Sequence, residues 1–281
     1  MFDTVETIGS SKIQHGRSNN RIYLMKLGRS DVPEIISRLD EMAQQKGYTK
    51  IFAKIPEWAA DAFTSRQYTK EAAIPGFYNG KAGTLFYAKF FDAERAQLSA
   101  GQTALIDKHI KLARGKKGAG LTGSLDEKYN LRRLEENDIP QLASVYKSVF
   151  ASYPFPIFEA DYLKKTMDEN VVYFGVFDKE NLAAASSAEM DIAGQNVEMT
   201  DFATLPRYAG NNFSLFLLRA MEKEMRSRGI RTYYTIARSF SAGMNITFGK
   251  MNYTYTGTLV NNTNIAGTIE SMNVWYKPAA L

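Results

Sequence analysis

The residues with the clearest chemical potential lie at one junction, where a predicted strand runs into a turn of small residues and then directly into a predicted helix. The turn spans residues 205–212 and reads LPRYAGNN. Successive amide N–H groups of such a turn, together with the partial positive charge at a helix N-terminus, can converge on a diphosphate group. Many turns between a strand and a helix bind nothing, so the pattern alone leaves a purely structural turn open.

Two carboxylates, Glu198 and Asp201, lie on the strand that enters this turn. A carboxylate beside a reaction site can accept a proton as a general base. Because side chains alternate along a strand, we expect residues three apart to face opposite sides, one toward the reaction site and one away. Either carboxylate is a candidate general base. An ordinary exposed or ion-paired strand carboxylate stays open for each.

The composition excludes several other chemistries. The 281 residues include no cysteine and two histidines, which excludes disulfides, thiol nucleophiles and Cys/His or histidine-rich metal sites. We therefore predict no metal site. The formal net charge of +5 favours an anionic partner such as a phosphate-bearing molecule. Neither a signal peptide nor an apolar membrane span is recognisable, so we expect a cytoplasmic protein without a membrane partner.

The pattern of elements predicts an α/β (α+β) protein with two domains. A Gly- and Ser-containing tract at residues 119–127 predicts a linker between an N-terminal α/β domain (1–118) and a second domain (128–281). The basic residues before the linker continue a helical pattern that starts near Asp92. Cations are expected near the C-terminus of a helix and no nucleic-acid motif accompanies them, so we expect no nucleic-acid partner.

The second domain has a characteristic order of predicted elements. A strand and two helices precede a meander of three strands at residues 171–177, 182–191 and 197–204. The turn and its helix follow, then a strand, a short helix and a final β region. Residues 47–55 of the first domain share a Gly-then-strand pattern with residues 229–237. This echo predicts that the first domain is a degenerate repeat of the second, with a chance match left open.

The order of elements over residues 131–277 resembles the acetyl-CoA-dependent N-acetyltransferases of the GNAT superfamily. The resemblance implies a mixed, mostly antiparallel central sheet flanked by helices, and a loop that holds the coenzyme A pyrophosphate through the pattern Gln/Arg-x-x-Gly-x-Gly/Ala. Anchored on Pro206 and Leu217, this pattern falls on residues 209–214, where Asn212 replaces the first glycine. Asn tolerates the left-handed backbone conformation better than most residues. A rival alignment that starts at Arg207 disrupts the helix phase.

The resemblance also ranks the two carboxylates. An alkylammonium group, with a pKa of about 10.4, must lose a proton before its nitrogen can attack a thioester. In this type of fold Glu198 lies on the cleft side of the strand, so the resemblance makes Glu198 the first candidate for the general base and Asp201 the alternative.

The resemblance implies two groups of residues that contact acetyl-CoA. Amides near the end of the strand would stabilise negative charge on the acyl oxygen: Phe202, Ala203, Thr204 and Leu205. Residues of the loop and the first helical turn would hold the pyrophosphate: Ala209, Gly210, Asn211, Asn212, Phe213 and Ser214. The tyrosine that serves many relatives as general acid corresponds to Phe248 here, so water or Tyr253 is left to assist the departing thiolate.

Five short runs spread over nearly the whole chain are similar to the β-lysine N-acetyltransferases: SKIQHG (11–16), NRIYLM (20–25), EAAIPGFYNG (71–80), TDFATLP (200–206) and ESMNVWY (270–276). The implied activity is acetylation of the side-chain (N6) amine of β-lysine, a small diamino acid, to give a neutral compatible solute used in osmoprotection. A protein or peptide N-acetyltransferase and a non-catalytic coenzyme A sensor stay open as alternatives, as does a homodimer.

A diamino acid requires a cation for its carboxylate and an anion for its second ammonium, because each charge is costly to bury unpaired. Arg238 is the candidate for the carboxylate, and Glu270 or Asp201 for the ammonium. Five residues are candidates for further hydrogen bonds or for packing against the aliphatic stem, with turn or core roles left open: Asn261, Asn262, Asn264, Tyr153 and Phe155.

Overall fold

Thirteen strands form two sheets in the computed structural model, which describes residues 2–279. The first sheet contains β1 (Thr4–Ile8), β2 (Ser11–Gly16), β3 (Arg21–Lys26), β4 (Lys50–Pro56), β5 (Thr69–Tyr78) and β6 (Ala82–Phe90). Its helices are α1 (Glu34–Lys46) and α2 (Ala60–Thr64), and α3 (Ala100–Gly115) follows it.

The second sheet contains seven strands, namely β7 (Tyr129–Arg133), β8 (Val171–Asp178), β9 (Asn181–Asp191), β10 (Asn196–Thr204), β11 (Thr232–Arg238), β12 (Thr254–Ile265) and β13 (Thr268–Pro278). Its helices are α4 (Ile139–Val149), α5 (Ala160–Glu169), α6 (Phe213–Ser227) and α7 (Ala242–Lys250). The strand order is β12-β13-β11-β10-β9-β8-β7, and β10–β11 is its parallel pair among antiparallel neighbours. The predicted mixed, mostly antiparallel sheet flanked by helices is confirmed, and the meander of three strands lies at β8, β9 and β10.

The first sheet repeats the strand order of the second. Its order β5-β6-β4-β3-β2-β1 corresponds strand for strand to β12-β13-β11-β10-β9-β8, with β3–β4 as the parallel pair. In both sheets a helix connects the two parallel strands, and a short helix follows the second of them. This shared topology agrees with the repeat that the sequence predicts, and β7, α4 and α5 have no counterpart in the first sheet.

The helix predicted from Asp92 begins later than expected. Residues 92–98 form turns, and α3 begins at Ala100. The Ser99 Oγ atom accepts a hydrogen bond from the Gln102 N–H (3.2 Å), and the Gln102 Oε1 atom accepts one from the Ser99 N–H (2.9 Å). Because this reciprocal capping box satisfies two donors at the helix start, it sets the boundary that periodicity alone placed too early.

The helix α3 packs against α7 of the second sheet. A Cβ atom on Gly249 would lie 2.2 Å from the Ala113 carbonyl oxygen, so only glycine allows this close approach. The predicted domain boundaries at residues 118 and 128 remain a prediction. None of the helices within residues 2–279 is long and apolar enough to span a membrane.

A buried ion pair holds the two sheets together where β5 packs on β12. The Lys50 Nζ atom lies 3.0 Å from Glu71 Oε2, and the two side chains are 0% and 6% exposed. Lys50 also donates to the Val260 carbonyl (2.7 Å), and Glu71 accepts from the Val260 N–H (2.8 Å). Burial is the main reason that the pKa of Lys50 is lowered to about 8, with Glu71 opposing that shift. The ion pair is therefore one fully satisfied polar contact that fixes β12 against the first sheet.

We expect Glu71→Gln to lower the free energy of unfolding by about 3 kcal/mol, because it leaves the Lys50 ammonium buried without a counter-ion. The measurement is urea unfolding at pH 7. The matched control is Glu224→Gln, which removes an i,i+4 partner of Arg228 on the surface of α6 and should shift the midpoint much less. Equal shifts for the two variants would contradict a structural role for the buried pair.

Candidate active site

A cavity of about 350 Å³ lies between the two sheets. The first sheet contributes Val5, Lys12, Arg21, Tyr23, Met25 and Phe52 to its wall. The second half of the chain contributes three carboxylates on β9 and β10, namely Glu189, Glu198 and Asp201, and the aromatic side chains of Tyr153, Phe155, Tyr162 and Tyr173. Acidic groups, cations and aromatic rings thus share one cavity, which suits a small molecule that carries charge of both signs.

The cavity meets the second sheet where β10 and β11 separate. Their parallel pairing runs from Asn196 opposite Thr232 to Glu198 opposite Tyr234. Beyond this point β10 contains a bulge, since its register with β9 shifts between Thr200 and Ala203. A bulge bends its strand and re-aims the side chains beside it. The pairing of β10 with β11 thus ends at Glu198, just before the bulge.

The expectation that Glu198 and Asp201 face opposite sides is wrong. Both line the cavity. Asp201 lies in the bulge with φ at +55°, in the left-handed region, so the strict alternation of a strand does not hold there.

The structure adds a third carboxylate that the sequence reasoning missed. Glu189 lies directly opposite Glu198 in the antiparallel pair of β9 and β10. Side chains in such positions are close neighbours, and two like charges there repel each other. The signal in the sequence was a Glu that follows the apolar and small residues 182–188 of the strand.

Desolvation is the largest cause that raises the pKa of Glu198 to about 7, and the charge of Glu189 raises it further. The nearby Lys54 ammonium and the Tyr234 hydroxyl act in the opposite direction. Desolvation also raises the pKa of Glu189, against the charge of Lys54. A carboxylate with a pKa near neutrality suits a general base, because it both accepts and releases a proton at working pH.

Asp201 is held by hydroxyl groups. Tyr153 and Ser187 each donate a short hydrogen bond to its carboxylate, and the Thr200 hydroxyl lies 3.4 Å away. Burial raises the pKa of Asp201, while these hydroxyls lower it. Both carboxylate oxygens are engaged, so Asp201 is better suited to positioning Tyr153 than to taking a proton from a ligand.

The residues predicted to bind the substrate divide into two groups. Tyr153, Phe155 and Asn262 line the cavity. Arg238 and Glu270 do not, because they form a two-point ion pair with each other at 3.0 and 2.7 Å. Their predicted roles toward a carboxylate and an ammonium are wrong, since each satisfies the other.

Asn261 and Asn264 are also engaged elsewhere. Asn261 donates to the carbonyls of Arg95 and Gln97 at 2.9 Å each. Asn264 donates to the Ser18 carbonyl at 2.9 Å, and its backbone N–H donates to Asn19 at 2.8 Å. Both side chains therefore tie β12 to the first half of the chain and do not line the cavity.

The loop between β10 and α6 presents a row of unused donors. Within the described chain, none of the backbone N–H groups from Gly210 to Ser214 donates a hydrogen bond to the protein. Residues 209–212 are exposed, and Gly210 (φ +88°) and Asn212 (φ +56°) adopt the left-handed conformation. Asn212 thus takes the backbone conformation that glycine adopts most readily.

Two of the predicted amide donors are not available. The Leu205 N–H donates to the Ala183 carbonyl (3.0 Å), and the Ala209 N–H donates to the Pro206 carbonyl (3.1 Å). Because hydrogen bonds alternate between the two edges of an antiparallel strand, the engagement of Leu205 turns the Thr204 N–H toward the β11 side. Thr204 is therefore the better-placed amide at the cleft.

The side chains around the cleft mouth are mainly apolar. Phe202 packs edge-on against Phe248 at 5.7 Å between ring centroids, and Phe248 packs against Tyr253 at 5.0 Å. Tyr253 is 1% exposed and belongs to the core. Neither Phe248 nor Tyr253 provides an accessible acid.

The corresponding turn of the first sheet is filled by a carboxylate. Between β3 and α1, Asp31 accepts hydrogen bonds from the Ser10 N–H (2.8 Å) and the Ser11 hydroxyl (2.6 Å). A carboxylate in this position repels an anion. The first sheet therefore keeps the topology of the second, but its corresponding turn disfavours an anion.

Comparison with known proteins agrees with this geometry. Residues 130–254 match the family model described as an acetyltransferase (GNAT) domain. The chain is 43% identical over 277 residues to the beta-lysine N(6)-acetyltransferase of Methanococcus maripaludis, covering 98% of this chain and 99% of that protein. It is 31% identical to the beta-lysine N(6)-acetyltransferase of Methanosarcina mazei, covering 86% of this chain and 96% of that protein.

A third relative has a more general name. The N-acetyltransferase YodP of Bacillus subtilis is 29% identical over 99% of each chain. Since the matches extend over both sheets, they relate the whole chain and not only its GNAT portion. The chain belongs to the beta-lysine N(6)-acetyltransferase family of GNAT acetyltransferases.

Proposed function

We propose that this chain transfers an acetyl group from acetyl-CoA to the N6 amine of β-lysine. The observation that carries the proposal is that a single strand, β10, connects the two halves of such a site. Glu198 and Asp201 on this strand line the cavity, and the loop with five free N–H groups follows directly after it. The names of two full-length relatives support β-lysine as the acceptor.

The loop fits the diphosphate of coenzyme A, which GNAT acetyltransferases use as acetyl-CoA. The N–H groups of residues 210–214 would donate to the phosphate oxygens, and the N-terminus of the 15-residue helix α6 adds partial positive charge. Lys250 lines a second cavity, of about 210 Å³, that borders Asn211 and Asn212. Acetyl-CoA supplies an activated thioester, and the Thr204 N–H would donate to its acyl oxygen.

The carboxylates of the cavity serve the amine. Glu189 and Glu198 attract the N6 ammonium through their charge, and Glu198 takes the proton that prevents the nitrogen from attacking. With its pKa near 7, Glu198 is largely ionised at slightly alkaline pH and can release the proton to solvent afterwards. Asp201 holds Tyr153 in place at the cavity wall.

The cavity also bears on the alternatives. Its volume of about 350 Å³ between walls from both sheets favours a small acceptor over a peptide. A non-catalytic sensor has no need of a carboxylate with a pKa near neutrality. Neither alternative is favoured by the curated relatives.

The direct experiment mixes the purified chain with acetyl-CoA and, in parallel, with β-lysine, lysine, a polyamine and a lysine-containing peptide. Release of the coenzyme A thiol and the product mass are followed, and NMR locates the acetyl group. We expect turnover with β-lysine and acetylation at N6. Turnover on the peptide alone, or tight coenzyme A binding without turnover of any amine, would contradict the proposal.

We expect Glu198→Gln to lower kcat/KM at pH 7 by roughly 100- to 1000-fold, the range of a general base. The wild-type rate should fall below pH 7 as Glu198 becomes protonated. The variant should instead gain about tenfold per pH unit up to the pKa of the amine, about 10.4, because it depends on free amine. The measurement is the pH profile of kcat/KM for both proteins.

Two controls accompany this variant. The pH profile of kcat/KM for Asp201→Asn should keep its inflection near pH 7, because Asp201 is not the proposed base. Burial raises the pKa of Glu198 above its unfolded value, so its ionised form opposes folding at pH 8. Glu198→Gln should therefore melt no lower than wild type at that pH. A pH profile unchanged by Glu198→Gln would remove Glu198 as base.

We expect Asn212→Gly to preserve or tighten coenzyme A binding, because glycine adopts the left-handed conformation without strain. Asn212→Val should weaken binding about tenfold, because a β-branched side chain is strained there by roughly 1–2 kcal/mol. Isothermal titration with coenzyme A measures both.

The matched control for the loop is Asn79→Val in the turn between β5 and β6. Asn79 has the same φ of +56° and is exposed. It should cost stability without changing coenzyme A affinity. A large loss of affinity in Asn212→Gly would contradict the loop alignment and favour the one that starts at Arg207.

A further inference from the structure

Arg21 of the first sheet is a buried cation with unused hydrogen-bond donors. It is 4% exposed and lines the cavity between the sheets. Its Nη1 atom donates to the Asn262 carbonyl and to the Thr263 hydroxyl (3.0 Å). Its buried Nε atom has no hydrogen-bond partner, and no carboxylate of residues 2–279 lies within ion-pair distance. Burying a charge without a counter-ion costs free energy, so an anionic ligand in the cavity would stabilise this guanidinium.

The neighbouring buried cations differ from Arg21 in this respect. Lys50 is paired with Glu71. The Arg95 guanidinium uses all three nitrogens, on the Asn261 carbonyl (2.6 Å), the Thr49 hydroxyl (3.0 Å) and the Asn19 carbonyl (2.9 Å). Burial lowers the pKa of Arg21 to about 10, so it stays charged at neutral pH. Of these three buried cations, Arg21 is the one that faces the cavity with donors to spare.

Apolar and aromatic side chains line the cavity wall between Arg21 and the carboxylates of Glu189 and Glu198. Arg21, Tyr23 and Met25 alternate on β3 and face the same wall, at about 7 Å for every two residues. The Tyr23 ring lies 5.4 Å from the guanidinium carbon and stacks on Phe52 at 4.6 Å. Tyr23 lines the same cavity as Glu189 and Glu198, and burial raises the pKa of its hydroxyl while the charges of Lys54, Glu198, Arg21 and Glu189 act on it. The wall therefore runs from a cation through aromatic rings to two acids.

We propose that Arg21 binds the carboxylate of the acceptor and makes the enzyme selective for amino acids over simple diamines. The inference rests on the proposed function, in which the acceptor is a diamino acid. A planar guanidinium with free N–H groups matches a carboxylate through paired, charge-assisted hydrogen bonds. The first sheet thereby supplies a specificity residue that the GNAT portion lacks, since its own candidate, Arg238, is occupied by Glu270.

Lys12 is the other cation of the first sheet at this cavity, and it is exposed. An exposed ammonium keeps its water shell and gains little from binding a carboxylate. Lys12 therefore serves as the rival residue in the test.

The test compares each acceptor with its decarboxylated counterpart. The pairs are β-lysine with 1,4-diaminopentane and lysine with 1,5-diaminopentane. In the pair that the wild-type enzyme acetylates faster, we expect kcat/KM to be higher for the amino acid than for the diamine. Arg21→Gln should lower kcat/KM for β-lysine about 100-fold, chiefly through KM, while the value for the diamine changes little. Arg21→Lys should recover part of the loss.

Two variants separate recognition from stability. Arg95→Gln removes a buried guanidinium that bridges the same two halves, so it should lower the melting temperature and leave the ratio between the paired acceptors unchanged. Lys12→Gln should also leave the ratio unchanged. The proposal is overturned if Arg21→Gln lowers kcat/KM equally for both members of a pair. It is also overturned if Lys12→Gln is the variant that abolishes the preference for the carboxylate-bearing acceptor.

A binding measurement separates a failure of carboxylate recognition by Arg21 from a failure of the proposed acetyl transfer. Isothermal titration of β-lysine against wild type and Arg21→Gln measures recognition without turnover. Binding that is lost in Arg21→Gln supports the proposal even if no acetyl group is transferred, whereas absent binding, or equal binding by the two proteins, overturns it. If another amine proves to be the acceptor, equal turnover of that amine and its decarboxylated counterpart also overturns it.

Discussion

The separation of β10 from β11 after Glu198 is the constraint on which the rest of the site depends. A strand in mid-sheet normally pairs on both edges, and unpaired backbone groups are costly unless a ligand or water meets them. At the bulge the regular pairing of β10 is interrupted, and the carboxylate of Asp201 lines the cavity beside that of Glu198. The same strand then leads into a loop whose N–H groups the protein leaves free. One strand thus leads from two carboxylates at the cavity to a loop with free N–H groups.

The first sheet shows what the same topology does without that loop chemistry. Asp31 fills the turn that corresponds to the anion-binding loop, so phosphate is disfavoured there. The sheet acts instead as a wall: β5 packs on β12, Lys50 and Glu71 hold Val260, and β3 faces the cavity with Arg21 and Tyr23. In the proposed function, the duplicated architecture serves once to bind the acyl donor and once to line the cavity of the acceptor.

Features set by local sequence were predictable, and features set by long-range contacts were not. The order of elements and the position of the loop before α6 follow from periodicity and turn residues within short windows. The orientation of Asp201 was missed because a bulge breaks the alternation that the prediction assumed. Arg238 was misassigned because its partner, Glu270, lies on another strand. The contact of Arg21 with Asn262 joins residues more than 200 positions apart, which no local pattern can indicate.

The most direct measurement is a crystal structure of the enzyme with coenzyme A and β-lysine bound together. The account predicts the diphosphate on the N–H groups of residues 210–214, with the N6 nitrogen beside Glu198 and the sulfur approaching it through the gap between β10 and β11. A coenzyme bound outside this gap, or an acceptor whose N6 amine points away from Glu198, would contradict the account at its centre.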